Sequence, residues 1–324
     1  MGHGILTTGL RRAAALGGLA AVALAVLARP AVYEVEGVSM APSLLPGDRA
    51  STAAFGLADR FRRPRRFDRW VLSSADGAAA IKRIVGLPGE RLGIVAGDLV
   101  VGATPVLKPP LLLAEIGTPL AAPSPFAAGR WRMPPREILD EDAHDPGRSV
   151  VLLPVRDVGF AAEVTGAGRA RATVGRTTIA WRLAAGRHAI LAGRLDGHVV
   201  AVAWRLAENG TVGPGRSCLP PRVPGDWSAA VPWPEADATG DRTPLLELDV
   251  EPCGAAAARI ERIGLWRDVH WRPAATGVAA WTIGSDCVFV LGDHPAASRD
   301  SRHWGPVPMS ALRHRIAVVT PAER

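Results

Sequence analysis

The hydrophobic pattern opens with an uninterrupted apolar run from Ala13 to Ala28, flanked by Arg11-Arg12 and Arg29-Pro30. The run is slightly shorter than the ~20 residues that cross a bilayer as a helix. Flanking arginines can snorkel, however, and Ala31-Val32 extend the apolar character. One membrane helix is therefore expected over 13–32, with residues 1–12 cytoplasmic because the basic end stays inside. A cleaved secretory leader would share the basic start and apolar length. Either reading puts everything after Val32 outside the cytoplasm, and no later stretch is apolar enough to span.

Beyond this run the period shortens. Residues 33–104 contain "RWVLSS", "AAIKRIVGL" and "RLGIVAGDLVVG", which predict short strands, and Pro88-Gly89 suits the centre of a type II turn. Residues 105–147 are rich in proline and alanine without a period and read as an irregular connection. Residues 148–282 alternate apolar and polar positions with glycine at the turns, the pattern of a β-meander. Residues 283–324 return to a strand, "CVFVLGD", then a loop and a last amphipathic stretch. The expected fold class is mostly β with one membrane helix. Eight of the ten tryptophans lie between Trp131 and Trp281. They are assigned to the core of the β-rich segments instead of a sugar-binding or membrane-surface face.

Composition narrows the function. A chain of 324 residues with 48% hydrophobic content can fill two domains. The net charge of +7 is scattered apart from "RFRRPRRFDR", Arg60 to Arg69. That cluster is broken by Pro64 and accompanies no recognition helix or zinc-ligand spacing. It reads as a solvated loop or a patch facing anionic lipid headgroups, and no nucleic-acid partner is expected. Cys218, Cys253 and Cys287 lack C-x-x-C spacing, so neither zinc nor a redox motif is signalled. In an oxidising compartment Cys218 and Cys253 can pair; Cys287 reads as a buried core thiol.

The candidate chemistry starts at "VEGVSMAPSLLPGD", Val35 to Asp48, which braces Ser39 with prolines just after the apolar run. A serine held this way can be a nucleophile if a base is near. The elbow G-x-S-x-G fails at Ala41, and S-x-x-K fails because Ala79 and Pro105 precede the lysines by three. His294 beside Asp293 could complete a Ser-His-Asp triad, although nothing local distinguishes it from a loop histidine. The chain has two lysines, Lys82 and Lys108. Lys82 sits mid-strand in "AAIKRIVGLPGE", sharing a face with Ala80 and Ile84. Burial there lowers the pKa of an amine and makes it a usable base. Lys108, next to Pro109-Pro110, reads as a surface residue.

Three separated motifs together resemble the bacterial type I signal peptidases, the membrane-anchored Ser-Lys leader peptidases. "GVSMAPSLLPGD" resembles the nucleophile box and "IKRIVGLPGE" the lysine box. "GDHPAASRDSRHWGPVP" resembles the third box, and "RFDRWVL" is a looser match to a short strand between the first two. The resemblance implies that Ser39 attacks the scissile carbonyl and Lys82 takes its proton. Ser298 would orient the Lys82 amine, and Asp300 and Arg302 would pair beneath the dyad. Met40, Leu44 and Ile81 match positions lining the pocket for a small residue, as cleavage after Ala-x-Ala requires. The Ser39 N–H would be one oxyanion donor. Some members carry a serine hydroxyl two residues earlier, where this chain has Gly37. His294-Pro295-Ala296-Ala297 also departs from the usual polar stretch.

The resemblance further implies a signal-peptidase-like β catalytic domain formed by 33–104 and 283–324, with 105–282 as a large inserted second β-rich domain. It implies no metal and no cofactor. The partners would be the lipid bilayer and secreted preproteins, and the location a bacterial cytoplasmic (inner) membrane, crossed once, with the catalytic domain on the extracytoplasmic side. A specialised relative processing one client, such as a conjugative pilin, and an inactive membrane-tethered binding protein are the alternative readings. A self-cleaving Ser-Lys repressor is disfavoured by the apolar anchor.

Overall fold

The computed structural model describes residues 30–53, 63–73, 79–120, 129–140, 152–207, 223–233, 243–253, 258–273 and 279–323. Most of the expected membrane segment, 13–29, and Cys218 lie outside the described residues. Among the described residues no helix is long and apolar enough to cross a membrane.

The first part of the chain supplies β1 (Val32–Glu34), β2 (Arg49–Thr52), β3 (Arg69–Ser73), β4 (Ala79–Gly86), β5 (Arg91–Val95), β6 (Asp98–Val101) and β7 (Thr104–Pro105). A short helix, α1 (Pro110–Ile116), begins on a proline whose fixed φ suits a first turn, and β8 (Thr118–Pro119) and β9 (Arg130–Met133) follow. The segment expected to be irregular thus holds one helix and parts of three strands. Its apolar "PLLLAEI" buries Leu112, Leu113 and Ile116, a three-to-four-residue spacing too short for the window in which a helical period is read.

The middle of the chain forms β10 (Val158–Thr165), β11 (Gly168–Val174), β12 (Thr177–Leu183), β13 (Arg187–Leu195), β14 (His198–Arg205), β15 (Ala229–Pro232), β16 (Leu246–Pro252) and β17 (Arg259–Arg267). Last come β18 (Ala280–Thr282), β19 (Cys287–Leu291), the single turn α2 (Ser301–Trp304), β20 (Val307–Pro308) and β21 (Leu312–Thr320).

The strands assemble into four antiparallel sheets. The largest has the order β1-β2-β21-β3-β4-β19-β20, so the first and last described strands meet in one seven-stranded sheet. Next to it lies the sheet β18-β5-β6-β7. Val85, Leu92, Leu99, Trp271, Phe289 and Leu291 pack between the two. Because β18 pairs with β5, residues 280–282 belong with the first part of the chain and not with the insert. At the β4–β5 turn, Gly89 adopts φ +81 after Pro88, the left-handed position a type II turn demands.

Strands β8 to β17 form a sandwich of β15-β14-β13-β10-β17-β8 on β12-β11-β16-β9. Alternating residues such as Phe160, Ala162, Ala170, Ile190, Val199 and Leu248 fill its core. Of the mid-chain tryptophans, Trp131, Trp266 and Trp271 are buried, and Trp181, Trp204, Trp227, Trp233 and Trp281 are half-buried against the cores. Cys287 corrects one expectation. It lies half-buried at the start of β19, its thiol beside Asp286, because the apolar run that follows it, Val288–Leu291, takes up the core positions.

Lys108 corrects another. It is fully buried, with its ammonium between Asp196 and Asp268 and Asp98 and Asp157 completing a tight group of four carboxylates. Its own N–H donates to Asp196 at 2.8 Å, its carbonyl accepts the Trp227 indole N–H at 2.8 Å, and its Nζ stands 5.0 Å from the Trp271 ring centre. Lys108 and Asp98 come from the first part of the chain, Asp157 and Asp196 flank β10 and β13, and Asp268 follows β17. The group therefore ties strands β10, β13 and β17 to the first part of the chain.

Burial alone would strip the Lys108 proton, but the surrounding carboxylates outweigh it and keep the ammonium charged. The Asp268 carboxylate meets that ammonium at 2.7 Å without hydrogen-bond geometry, and burial pushes its pKa up to about 7. Folding thus takes up protons here, so the stability contributed by this group is present below the ordinary carboxylate pKa and is lost as pH rises towards 7. Lys108→Met leaves the buried carboxylates without their cation. It should lower stability by about 3–5 kcal/mol, the cost of breaking a buried pair, and the loss should be larger at pH 8 than at pH 5. Denaturant unfolding at the two pH values measures this. Equal losses at both would show that the carboxylates do not titrate together.

Candidate active site

The loop from Val35 to Asp48 is closed by backbone bonds. Val35 N–H donates to Asp48 O at 2.9 Å and Gly47 N–H to Val35 O at 2.7 Å. The Asp48 carboxylate, fully buried, accepts the Leu45 N–H at 2.9 Å and the Ala322 N–H at 3.1 Å, tying the loop to the end of the chain. Met40 and Leu44 sink into a core with Val35, Ala50, Val71 and Ile316, and Ile81 packs half-buried against it. These anchors leave Ser39 half-buried at the loop's inner edge. A Cβ at Gly37 would meet nothing within 4 Å, so the site opens to solvent there.

Lys82 reaches this serine from β4. In the antiparallel register Trp70 of β3 faces Lys82, and Leu72 faces Ala80, so one side of β4 carries the lysine between large apolar neighbours. Lys82 is 4% exposed, and its Nζ lies 2.7 Å from Ser39 Oγ. Burial holds the amine below the ordinary lysine pKa of 10.5. Asp300 and Asp293 pull it back up, and Arg302 opposes them. The result is an amine that sheds its proton more readily than a surface lysine.

The third box forms the floor. Asp300 caps α2, accepts the Gly292 N–H at 3.0 Å and grips Arg302 through two bonds of 2.9 and 2.8 Å. Burial pushes the Asp300 carboxyl up, yet the Arg302 guanidinium and the Gly292 N–H outweigh it and hold it below the usual carboxylate range. Arg302 also donates to the carbonyls of Pro295 and Arg272, at 2.9 and 3.1 Å. The apolar stretch 294–297 is thus bound through its backbone.

Gly292 permits a close approach here. A Cβ on it would lie 2.3 Å from Ser298 Oγ and 2.4 Å from the Ser39 carbonyl oxygen. Ser298 is buried beside Gly292. Its hydroxyl is close enough to Asp300 to help lower that carboxyl, yet it completes no standard hydrogen bond and none to Lys82. His294 turns its Nδ1 to the Val38 carbonyl at 3.3 Å, and its N–H donates to Ser39 O at 3.2 Å. It touches the serine's backbone, while the serine's hydroxyl meets Lys82.

Sequence reasoning missed a second layer. Arg83, next to the lysine and 2% exposed, makes two 2.7 Å bonds to the buried Asp293. It also donates to Phe67 O at 2.8 Å and Glu115 at 3.1 Å. Ser43 Oγ bridges the Met40 carbonyl and Asp293. The guanidinium therefore joins the Ser39 loop, β4, α1 and the third box. Arginine directly after the lysine was the available signal, but its partner lies 210 residues away.

With this geometry in view, the comparison with known proteins is direct. The signal peptidase family, peptidase S26, matches residues 9–122 and 261–320, more than half of the chain. The chain belongs to this family. Over 97 residues it is also 36% identical to signal peptidase I V of Bacillus subtilis (strain 168). That alignment covers 29% of this chain and 56% of the relative. The two matched blocks form a predominantly β S26-like domain, and the β-rich segment 123–260 is inserted between them.

Arg83→Lys keeps one charge but loses the two-pronged grip on Asp293. It should cost about 2–3 kcal/mol of stability. Thermal unfolding checks this, and an unchanged midpoint would show that the fork holds nothing in place.

Proposed function

We propose that the chain is a membrane-anchored serine endopeptidase that cleaves signal peptides from exported preproteins after small residues. The observation that carries this reading is the buried 2.7 Å contact between Lys82 Nζ and Ser39 Oγ, with the amine's pKa lowered by burial. Membership of the signal peptidase family supports the substrate class.

In this mechanism neutral Lys82 takes the Ser39 proton as Oγ attacks the scissile carbonyl. The resulting oxyanion is met by the Ser39 N–H, which makes no hydrogen bond among the described residues. Collapse of the intermediate breaks the peptide bond, and the Lys82 ammonium gives its proton to the departing amine. A water then attacks the acyl-serine ester with Lys82 again as base, which frees the mature protein's leader and restores Ser39. Asp300 and Arg302 are positioning residues that hold the third box under the dyad. Ser298, beside Gly292, acts on the Lys82 amine through a small movement of either side chain. Met40, Leu44 and Ile81 shape the floor on which a small side chain before the cut rests. Residues 13–32 anchor the enzyme in the cytoplasmic membrane with the catalytic domain on its outer side. A conjugative-pilin specialist would use the same dyad, and the inserted sandwich is where a dedicated client would be read.

The direct test is cleavage of a preprotein with an Ala-x-Ala site by the purified full chain. Ser39→Ala should abolish it while the protein remains folded; retained cleavage would remove Ser39 as the nucleophile. The neutral amine is the active form, so kcat/KM should rise with pH through one ionisation below 10.5. Lys82→Arg, which cannot release a proton in this range, should be inactive. An inflection near the ~6.5 of histidine together with an active Lys82→Arg would assign the base to His294.

Gly37→Ser adds a hydroxyl where there is open space. If it supplies a second oxyanion donor, kcat should rise by about tenfold or more. A changed KM with constant kcat would place that hydroxyl in substrate binding instead.

A further inference from the structure

The arginine cluster that the dyad leaves unused divides into two functions. Arg66 donates to the Val85 carbonyl and pairs with Glu90, and Arg69 faces Glu115 at 3.7 Å, so these two are internal. Arg63 and Arg65 are exposed and reach no carboxylate among the described residues. Together with Pro64, Asp68, Trp70 and Arg315 they line a cleft of about 360 Å³.

The described lining of the cleft is positively charged on balance. Among the described lining residues three arginines accompany one carboxylate, Asp68, which accepts the Arg65 N–H at 3.3 Å and lies 3.7 Å from Arg315. Its inner wall is Trp70, which is 1% exposed and whose indole N–H has no acceptor among the described residues. Such a site favours an anion with several acceptor oxygens, because planar guanidinium forks match phosphate geometry and are weakly hydrated.

Its position indicates the source of the phosphate. Val32 and Val318 are large apolar residues left 56% and 57% exposed. Both align with Ser51 across β1, β2 and β21, so the two valines share one cross-strand row that includes β1, the strand after the 13–28 run. Arg315 stands three residues from Val318 on β21, roughly 10 Å along the strand. On the other side, Trp70 separates the cleft from Lys82 in the register Arg315–Trp70–Lys82. An exposed apolar row beside a phosphate-sized basic cleft is the pattern of a surface resting at the headgroup level of a bilayer.

We propose that this cleft binds the phosphate group of an acidic lipid headgroup and so seats the sheet that carries Lys82 at the membrane surface. The site goes beyond the peptidase reading and does not depend on it, since the test below measures binding and not cleavage.

The test uses the full chain reconstituted in phosphatidylcholine bilayers with and without phosphatidylglycerol, read by its thermal unfolding midpoint. Acidic lipid should raise the midpoint, and salt should diminish the rise. Arg63→Gln/Arg65→Gln alters two exposed residues, so its midpoint in pure phosphatidylcholine should match the parent. Its apparent affinity for acidic lipid should fall about tenfold per arginine, the loss of one charge-assisted hydrogen bond each. Arg63→Lys/Arg65→Lys keeps the charge without the fork and should fall between the two. A double glutamine variant that responds to phosphatidylglycerol as the parent does would overturn the proposal. In detergent, inorganic phosphate serves as the competing probe. A saturable rise with phosphate and none with phosphatidylglycerol bilayers would overturn the lipid assignment in favour of a soluble phosphate.

Discussion

The structure turns on one buried contact, the 2.7 Å approach of Lys82 Nζ to Ser39 Oγ. An ammonium in that place would donate to the serine and could not accept its proton. The same contact with a neutral amine is a base in position. Everything around it serves that distinction. Burial on β4 disfavours the charge, while Asp293 is kept occupied by Arg83 and Asp300 by Arg302, so neither carboxylate can restore the proton fully. The Asp48 clamp and the close approach of Gly292 hold the serine's backbone against the third box.

The second lysine shows that burial by itself decides nothing. Lys108 is buried even more completely than Lys82, yet four carboxylates surround it and keep it charged. One cation ties strands β10 and β13 to the first part of the chain, and one amine whose pKa burial lowers faces Ser39. Their opposite pKa shifts follow from the number of carboxylates close to each amine. A chain whose other basic residues are arginine keeps lysine at the two places where a compact, chargeable amine is required.

What could be read from the sequence followed from how local each signal is. Lys82 stood out because period-two alternation put a charge inside an apolar strand. The Pro88-Gly89 turn was legible because its backbone requirement falls on a single residue. Lys108 was misread because its setting is made by Asp196 and Asp268, far along the chain, and adjacent prolines resemble a surface loop. Arg83 went unnoticed for the same reason, its partner being 210 residues away. The helix α1 was lost in a proline-rich stretch because seven residues are too few to establish a period. Motif residues of the third box could be identified by type and spacing, but the Ser298 hydroxyl does not bond the amine in this structure, a detail of side-chain placement that no spacing encodes.

The near absence of lysine makes the central claim directly observable. Nitrogen-15 labelling of lysine side chains gives the full chain two Nζ resonances, assigned by loss of one in Lys82→Arg. On this account the Lys82 signal passes from ammonium to neutral amine at a pH below 10.5, while the Lys108 signal stays that of an ammonium throughout. A Lys82 ammonium that persists to pH 10.5 or above would contradict the account, because the group beside Ser39 would then be a charge and not a base.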